Sequence, residues 1–330
     1  MKIALDAMGG DFGPDPLISG ADRAYQQFGT IPVLVGDREI LQERIKALSL
    51  GAPFEIVDAK DVIAMNDKAS DVRKRRGSTV WVSTELLKKG EVDGVVSAGH
   101  SGASLASAMW VLGRLEGVER PAIGTILPSL KGHFILVDGG ANVDCKPSHL
   151  VSFAHMGRVL AHHLFDLESP RVCVLSNGEE ETKGNDLVQK TIELLKGESF
   201  SWFHGPVESR DIFSGEADVV VCDGFVGNVV LKEAEGLAQA IMTMIKEAAG
   251  GNLRSRLGGF LLKPALVKMK KRLDYAEYGG APLLGVEGLF VICHGRSSSL
   301  AITSAIGMAD RLARSGLSRT IASELSKAVR

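Results

Sequence analysis

Short apolar runs alternate along the chain with longer stretches in which apolar residues recur at helical spacing. Several of the short runs are rich in β-branched residues and lack apolar–polar alternation, which is typical of buried strands in a parallel sheet. The predicted strands are residues 2–7, 32–36, 54–58, 94–98, 122–127, 134–137, 171–176, 201–203, 217–222 and 289–293. The helical patterns cover residues 16–28, 101–112, 148–165, 186–195, 227–248 and 298–314, and one further helix follows Ser78 and Thr79. This strand–helix repetition predicts a doubly wound α/β fold.

Three local features refine this prediction. Strands 122–127 and 134–137 are joined by too few residues for a parallel crossover, so they are predicted to form an antiparallel hairpin in a mixed, mostly parallel sheet. No linker or repeat divides the chain, so residues 1–330 are expected to form one α/β domain. Asp15 is expected to cap the first helix, with Pro16 in its first turn.

Residues 250–280 differ from the rest because they lack a strand pattern and carry a dense basic cluster. We interpret them as a protruding helical segment that Pro264 splits into two helices. Its apolar faces are formed by Leu253, Leu257, Phe260 and Leu261, and by Leu266, Met269 and Leu273. Its surrounding cations are Lys263, Lys268, Lys270, Lys271 and Arg272. Two interpretations stay open: a helix pair packed on the body or on a dimer, or a hairpin whose apolar tip enters a bilayer while its cations meet anionic headgroups.

Composition excludes several classes of protein. The formal net charge is −2, so no overall field attracts nucleic acid, and no nucleic-acid partner is expected. The cysteines form no C-x-x-C pair, so we expect no metal site, and their apolar surroundings suggest buried free thiols in a reducing cytoplasm. No signal peptide and no run of about 18 apolar residues occur, so a cytoplasmic protein is expected.

Glycine and small polar residues follow the predicted strands, in loops 8–16, 97–103, 138–144, 176–185 and 223–228. In open α/β sheets, ligands bind at the edge formed by the carboxyl ends of the strands. Several of these loops lead into helices, whose first backbone N–H groups are natural partners for an anion. The pattern therefore predicts a site for a phosphate-like group.

Familiar motifs are missing from these loops. No G-x-G-x-x-G follows the first strand and no P-loop lysine occurs, so a nucleotide cofactor is not indicated. The stretch from Gly99 to Gly102 lacks one residue of the G-x-S-x-G nucleophile elbow, and His100 beside Ser101 in sequence is no evidence for a catalytic triad. H-E-x-x-H is absent too, and the histidines of helix 148–165 are typical packing or surface groups.

Two polar residues that follow predicted strands are candidates for contacts with a substrate. Lys183 follows a strand between acidic residues and a Gly-Asn pair, where it is either a solvated loop lysine or a cation that holds an anionic substrate or oxyanion. Asn228 either starts a helix or donates its amide N–H groups to a carbonyl oxygen. The residues alone leave both alternatives open.

The same loops resemble one family, the PlsX-type phosphate acyltransferases of bacterial phospholipid synthesis. Seven stretches carry the resemblance in order, from the first strand to near the end of the chain. They are IALDAMGGDFGPD (3–15), SAGHSGA (97–103), GGANVDCKP (139–147), EETKGN (180–185), DGFVGNVVLK (223–232), YGGAPLLGV (278–286) and HGRS (294–297).

The resemblance implies a reaction, a fold and partners. Acyl-(acyl-carrier-protein) and inorganic phosphate would give acyl phosphate and free carrier protein, without a cofactor, and a glycerol-3-phosphate acyltransferase would use the product next. The fold would be three-layer α/β/α, similar to phosphotransacetylases and isocitrate/isopropylmalate dehydrogenases. Family members are homodimers with the active site near the subunit interface, and peripheral membrane contact suits the poorly soluble product.

The resemblance also implies site residues. Lys183 and Asn228 would be catalytic, stabilising phosphate and the tetrahedral oxyanion. Substrate or phosphate contacts would come from Asp6, Gly9, Gly10, Asp11, His100, Ser101, Gly102, Asn142, Asp223, Gly224, His294 and Ser297. Cys145 is expected to be a packed thiol rather than an acyl-enzyme nucleophile.

Two alternative functions remain. A phosphotransacylase acting on coenzyme A esters would share the fold and the chemistry, although the basic segment 254–272 suits an acidic carrier protein. A non-catalytic regulator of lipid enzymes belongs to another class, and a turnover assay separates it from both enzymes.

Overall fold

The computed structural model describes residues 1–197, 200–273 and 278–328, without the side chains of residues 253, 270–273 and 328. The strands are β1 Lys2–Asp6, β2 Ile31–Gly36, β3 Glu55–Asp58, β4 Gly94–Ser97, β5 Ala122–Ser129, β6 Gly132–Val137, β7 Val172–Ser176, β8 Phe203–Glu208, β9 Val219–Val221, β10 Ala281–Leu284 and β11 Phe290–Ile292. The helices are α1 Pro14–Phe28, α2 Arg38–Ala47, α3 Thr79–Lys88, α4 Ser101–Ser107, α5 Pro147–Phe165, α6 Asp186–Gly197, α7 Gly224–Gly250, α8 Leu253–Leu273, α9 Ser299–Ser315 and α10 Leu317–Ala328. A 3₁₀ helix spans Ala69–Arg73, and a π-helical turn, Ala108–Leu112, extends α4.

The described strands form one 11-stranded sheet in the order β3-β2-β1-β4-β11-β10-β5-β6-β9-β7-β8. β3, β2, β1, β4 and β11 are parallel to one another, and β6, β9, β7 and β8 form a second parallel set. Between the sets, three successive antiparallel pairings join β11, β10, β5 and β6. An odd number of reversals means that the second set runs opposite to the first. The predicted mixed sheet and its β5–β6 hairpin are confirmed.

Helices cover both faces of this sheet. Ile3 and Leu5 of β1 face a core that includes residues of α1, α5, α9 and α10, whereas Ala4 between them faces a core built with α3 and α4. At the other half of the sheet, Phe134 and Leu136 of β6 contribute to a third cluster, against which the start of α7 packs. Because alternate strand residues point to opposite faces, burial on both sides produces the apolar runs of the sequence. The fold is three-layer α/β/α, as expected.

Some predicted elements were wrong in detail. The first helix begins at Pro14 after Gly13, so Asp15 lies within the first turn and its carboxylate instead accepts a hydrogen bond from Arg44 Nε at 2.7 Å. β8 spans residues 203–208 rather than 201–203, and β10 was not predicted at all. Both strands contain proline, which interrupts the apolar signal; β8 lies at the edge of the sheet, where proline is tolerated, whereas β10 is paired on both sides.

The protruding segment is also built differently from the prediction. Pro264 lies inside α8, so it removes one backbone hydrogen bond without ending the helix. The two antiparallel partners are instead α7 and α8, which meet at residues 251–252. Their tip region exposes Leu257, Phe260 and Leu261, which are 63%, 72% and 71% accessible. Lys270, Lys271 and Arg272, with Leu253 and Leu273, lie outside the described side chains.

Candidate active site

Strand direction divides the predicted site residues into two groups. We call the end of the sheet where β1, β4 and β11 finish the β1 end, and the end where β6, β9 and β7 finish the β9 end. The β1 end holds Asp6, Gly9, Gly10, Asp11, His100, Ser101, Gly102, His294 and Ser297. The β9 end holds Asn142, Lys183, Asp223, Gly224 and Asn228. The single ligand-binding edge assumed from the sequence is therefore wrong for this chain, because the two parallel sets run in opposite directions.

Asp138 organises the β9 end, although the sequence analysis did not select it. Its Oδ1 accepts hydrogen bonds from the backbone N–H groups of Ile123 at 3.0 Å and Ala141 at 3.0 Å. Its Oδ2 accepts from the backbone N–H and side-chain amide of Asn142, at 2.7 and 2.8 Å. Burial raises the pKa of this carboxyl, and these hydrogen bonds oppose the rise. Asn142 is thus a fixed part of the loop.

The start of α7 packs against the loop that holds Asp138 and Asn142. Asp223 caps the helix by accepting from Val226 N–H at 2.9 Å, and Gly224 N–H donates to the carbonyl of Asn142 at 2.7 Å. A Cβ on Gly227 would lie 1.9 Å from the carbonyl oxygen of Asp138, so only glycine permits this approach. One residue further on, Asn228 is exposed, and no hydrogen bond from the described residues engages its side chain.

Lys183 lies in the loop after β7, the strand that pairs directly with β9. The loop is held by Asn177, whose Oδ1 accepts from Gly184 N–H at 2.8 Å, and by a hydrogen bond from Lys183 N–H to the carbonyl of Glu180 at 2.9 Å. The Lys183 side chain is exposed and has no ion pair within the described ranges. An unengaged ammonium and an unengaged amide therefore follow neighbouring strands.

Cys145 lies beside this pair of loops. Its Sγ donates to the carbonyl of Asn142 at 3.6 Å. Burial, together with the charges of Asp138 and Asp223, raises the pKa of the Cys145 thiol to about 11. Because the thiolate is the nucleophile, little reactive form exists at neutral pH. The expected packed thiol fits this environment.

At the β1 end, Asp6 is buried against two glycine loops. Its Oδ2 accepts from Ser97 Oγ at 2.8 Å, whereas its Oδ1 has no hydrogen-bond partner among the described atoms. A Cβ on Gly9 would lie 2.8 Å from Asp6 Oδ2 and from the Cα of Gly99, so the loops after β1 and β4 touch. Burial raises the pKa of Asp6, opposed by hydrogen bonds to its side chain.

The loop after β11 completes the β1 end. Asp11 N–H donates to the carbonyl of Gly295 at 2.8 Å, which ties the β1 loop, with Gly10, to this segment. His294 Nδ1 accepts from Arg296 N–H at 3.2 Å. Ser297 is 3% exposed, and its hydroxyl finds no partner in the part of the chain that the structure describes. Buried polar groups without partners are rare, so Asp6 and Ser297 are candidates for ligand contact.

His100 and Ser101 do not form a catalytic pair. His100 caps α4 by accepting from Ala103 N–H through Nδ1 at 3.3 Å, and its Nε2 lies 3.1 Å from the carbonyl oxygen of Asp67. The arrangement requires the neutral ring with its proton on Nε2. Both ring nitrogens are thus engaged, and neither is available to accept a proton from Ser101, which lies exposed at the start of α4 beside Gly102.

No group of three or more His, Cys, Asp or Glu side chains in the described residues is arranged to hold a metal ion. None of the described helices combines the length and the apolarity that crossing a bilayer requires.

Comparison of the fold with solved structures gives phosphotransacetylases and a putative dehydrogenase. A phosphotransacetylase from Streptococcus pyogenes superposes with a TM-score of 0.65 at 17% identity, over 94% of each chain. The EutD phosphotransacetylase from Staphylococcus aureus gives 0.61 at 19% identity, also over 94% of each. A putative 4-hydroxythreonine-4-phosphate dehydrogenase from Salmonella typhimurium gives 0.53 at 14% identity, over 94% of this chain and 99% of that one. At these identities the likeness establishes the fold alone.

Comparison of the sequence is more specific. The family model described as "Fatty acid synthesis protein" matches residues 1–320. A protein named phosphate acyltransferase from Geotalea uraniireducens is 49% identical over 329 residues, covering 99% of this chain and 95% of the relative. Another so named, from Thermodesulfovibrio yellowstonii, is 46% identical over 331 residues, covering 99% and 95%. The chain therefore belongs to the PlsX-type phosphate acyltransferase family, as the resemblance at its glycine loops predicts.

Proposed function

We propose that this enzyme transfers a fatty acyl group from the thioester of acyl carrier protein to inorganic phosphate, giving acyl phosphate for phospholipid synthesis. The observation that carries the proposal is the pair of unengaged donors, Lys183 and Asn228, in the segments that follow two paired strands. A phosphate oxygen forms the new bond to the carbonyl carbon, the carbon–sulfur bond breaks, and the carrier thiolate takes a proton from solvent.

This chemistry makes modest demands on the protein. Phosphate is already an anion, so the attack requires no strong base. The enzyme has to hold the anion against the carbonyl and stabilise the oxyanion that develops there. The Lys183 ammonium can neutralise phosphate or the oxyanion, and the Asn228 amide can donate to the oxyanion.

A homodimer accounts for the division of the site into two ends. In one protomer the β1 and β9 ends face opposite directions, yet both carry groups suited to a substrate. The proposal is that a two-fold partner brings its β9 end to the β1 end of the first protomer. Support comes from Asp6 Oδ1 and Ser297 Oγ, two buried oxygens that have no hydrogen-bond partner among the described residues. Gly9 and Gly10 supply backbone N–H groups for phosphate beside them.

The hairpin of α7 and α8 is proposed as a peripheral membrane contact of this cytoplasmic enzyme. Leu257, Phe260 and Leu261 are exposed, and Lys263 and Lys268 are exposed on the same helix. Apolar side chains flanked by cations suit the boundary of an anionic bilayer. A long-chain acyl phosphate is poorly soluble, so release at the membrane would deliver it to a glycerol-3-phosphate acyltransferase.

An assay with purified protein tests the proposed reaction. Long-chain acyl carrier protein and phosphate should give acyl phosphate in the presence of EDTA and without nucleotide. A strict need for a divalent ion or NAD would contradict the proposal. Faster turnover of the matching coenzyme A ester would favour a phosphotransacylase, and absence of turnover with either thioester would favour a non-catalytic regulator.

A further inference from the structure

A basic patch lies beside the β1 end, in the connection between β3 and α3. We define the basic patch as Lys68, Arg73, Lys74 and Arg76, on and next to the 3₁₀ helix Ala69–Arg73. All four side chains are exposed. Residues 73–76 read RKRR, four consecutive basic residues and the longest such run in the sequence.

Arg75 interrupts the patch and anchors it. Its Nε donates to Asp61 at 3.0 Å, its Nη1 donates to Asp67 at 2.7 Å, and its Nη2 donates to the carbonyl of Val62 at 2.9 Å. Hydrogen bonding to Asp61 raises the pKa of Arg75 further, so its charge is permanent and locally neutralised. The four cations of the basic patch, by contrast, have no ion pair with any described residue, and their charge is directed to solvent.

Two tryptophans hold part of the basic patch in place. The guanidinium of Arg73 lies 5.7 Å from the ring centre of Trp110, and that of Arg76 lies 5.7 Å from the ring centre of Trp81. A guanidinium stacked over an aromatic face still presents the N–H groups at its own edge, while its side chain loses conformational freedom. Less entropy is then lost when a carboxylate binds. Trp110 is 44% exposed, and exposed arginine–tryptophan pairs are typical of interface hot spots.

The basic patch adjoins the loop after β4. A Cβ on Gly102 would lie 3.0 Å from the Cβ of Ala69, and His100 Nε2 is 3.1 Å from the carbonyl oxygen of Asp67. A partner seated on the patch would therefore stand at the margin of the β1 end.

We propose that the basic patch is the docking surface for the acidic carrier protein that presents the acyl thioester. This inference rests on the proposed function, and it moves the dock from the basic segment of α8, where the sequence analysis placed it. Complementary charge on the two proteins would steer encounter and fix register. A membrane is the less suitable occupant, because the exposed aliphatic side chains suited to a bilayer cluster on α7 and α8.

The test is Arg73→Glu/Lys74→Glu, assayed with acyl carrier protein substrate and with uncharged acyl-pantetheine. The KM for the carrier substrate should rise about tenfold, with a weaker salt dependence, since several exposed charge pairs become repulsive. The kcat, and both constants for acyl-pantetheine, should stay near the wild-type values. Arg23→Glu/Lys46→Glu is the matched control, with the same charge change on exposed residues of α1 and α2. The buried residues of these helices belong to the core on the opposite face of the sheet from the basic patch.

An unchanged KM for the carrier substrate, or equal losses with both thioesters, would overturn the inference. So would a rise of KM in Lys263→Glu/Lys268→Glu alone, because the dock would then be on α8. Loss of binding to anionic vesicles with an unchanged KM would make the basic patch a membrane contact. If the wild type turns over neither thioester, the proposed function fails, and anisotropy with labelled holo-carrier protein still decides whether the patch binds it.

Discussion

At the scale of single residues, both ends of the sheet carry polar groups that suit ligand binding but do not stabilise the fold. Lys183 and Asn228 lie exposed with their polar groups unengaged by described residues, whereas Asp6 is buried with one oxygen unpaired. Such groups lower the free energy of unfolding or leave it unchanged, and a ligand compensates for this loss only when it is bound. Substitutions at these positions should therefore separate activity from folding.

Replacing either exposed donor should strongly reduce turnover and leave the fold intact. Lys183→Ala and Asn228→Ala should each lower kcat/KM by about 10²–10³-fold, the usual loss for one oxyanion donor. Melting temperatures should stay near wild type because neither side chain packs on the core. Lys190→Ala, an exposed lysine of α6 near the same end, is the control and should keep full activity. Wild-type kcat/KM in either site variant would show that residue to be structural.

Asp6→Asn should be more stable than wild type at neutral pH and much less active. Burial raises the Asp6 pKa above its ordinary value of 3.8, so on raising the pH the unfolded chain loses this proton first. Between the two pKa values the folded state binds more protons, and the free energy of unfolding falls as pH rises. The amide removes that loss, so denaturant curves of variant and wild type should converge below pH 3.8 and separate above it. A variant less stable than wild type at pH 7 would mean that the ionised carboxylate is a structural acceptor.

The residue scale also shows what the sequence could and could not provide. Lys183 and Asn228 were found because they sit in family motifs just after strands. Asp138 was missed, although it begins the loop DGGANVD, because nothing in that pattern distinguishes a carboxylate that accepts backbone N–H groups from one that faces a ligand. The RKRR run was visible, but only the structure shows that Arg75 turns inward while its neighbours face solvent.

At the scale of elements, apolar runs located most strands because burial on both faces leaves no polar positions within them. The prediction failed where proline and glycine take part in a strand, as in β8 and β10, and where Pro264 continues a helix. The relative direction of the two parallel sets depends on β10, since without it the number of antiparallel steps between them changes. Missing one four-residue strand therefore hid the division of the site into two ends.

Glycine determines how closely α7 approaches the Asp138 loop. Gly227→Ala would place a methyl group 1.9 Å from a carbonyl oxygen, so the variant should lose about 1–3 kcal/mol of stability together with activity, as α7 and Asn228 move away. Gly236→Ala on the same helix meets nothing within 4 Å and should gain roughly 0.5–1 kcal/mol from helix propensity. Chemical denaturation of both variants checks the pair. Equal effects of both substitutions would contradict the close approach.

The hairpin should bind anionic vesicles through its apolar side chains and its cations together. Leu257→Glu/Leu261→Glu should abolish co-sedimentation, because two exposed leucines become charged at the contact. High salt should weaken wild-type binding, since each cation contributes on the order of 1 kcal/mol near an anionic surface. Ile40→Glu/Leu48→Glu changes two exposed apolar residues on and next to α2, and it should bind as wild type does. Undiminished binding by the hairpin variant would place the membrane contact elsewhere.

At the scale of the whole molecule, the opposed halves of the sheet make subunit complementation the decisive measurement. Asp6→Asn removes a group at the β1 end and Lys183→Ala removes one at the β9 end, so each variant alone should be nearly inactive. After unfolding and refolding together at equal amounts, half of the two-fold dimers carry one of each subunit, and one of their two composite sites has both ends intact. Recovered activity should therefore approach about a quarter of the wild-type value. Refolding either variant with itself is the control and should recover nothing. If the site were complete within one protomer, every site in the mixture would carry one defect, so absence of recovery in verified mixed dimers would reject the composite site.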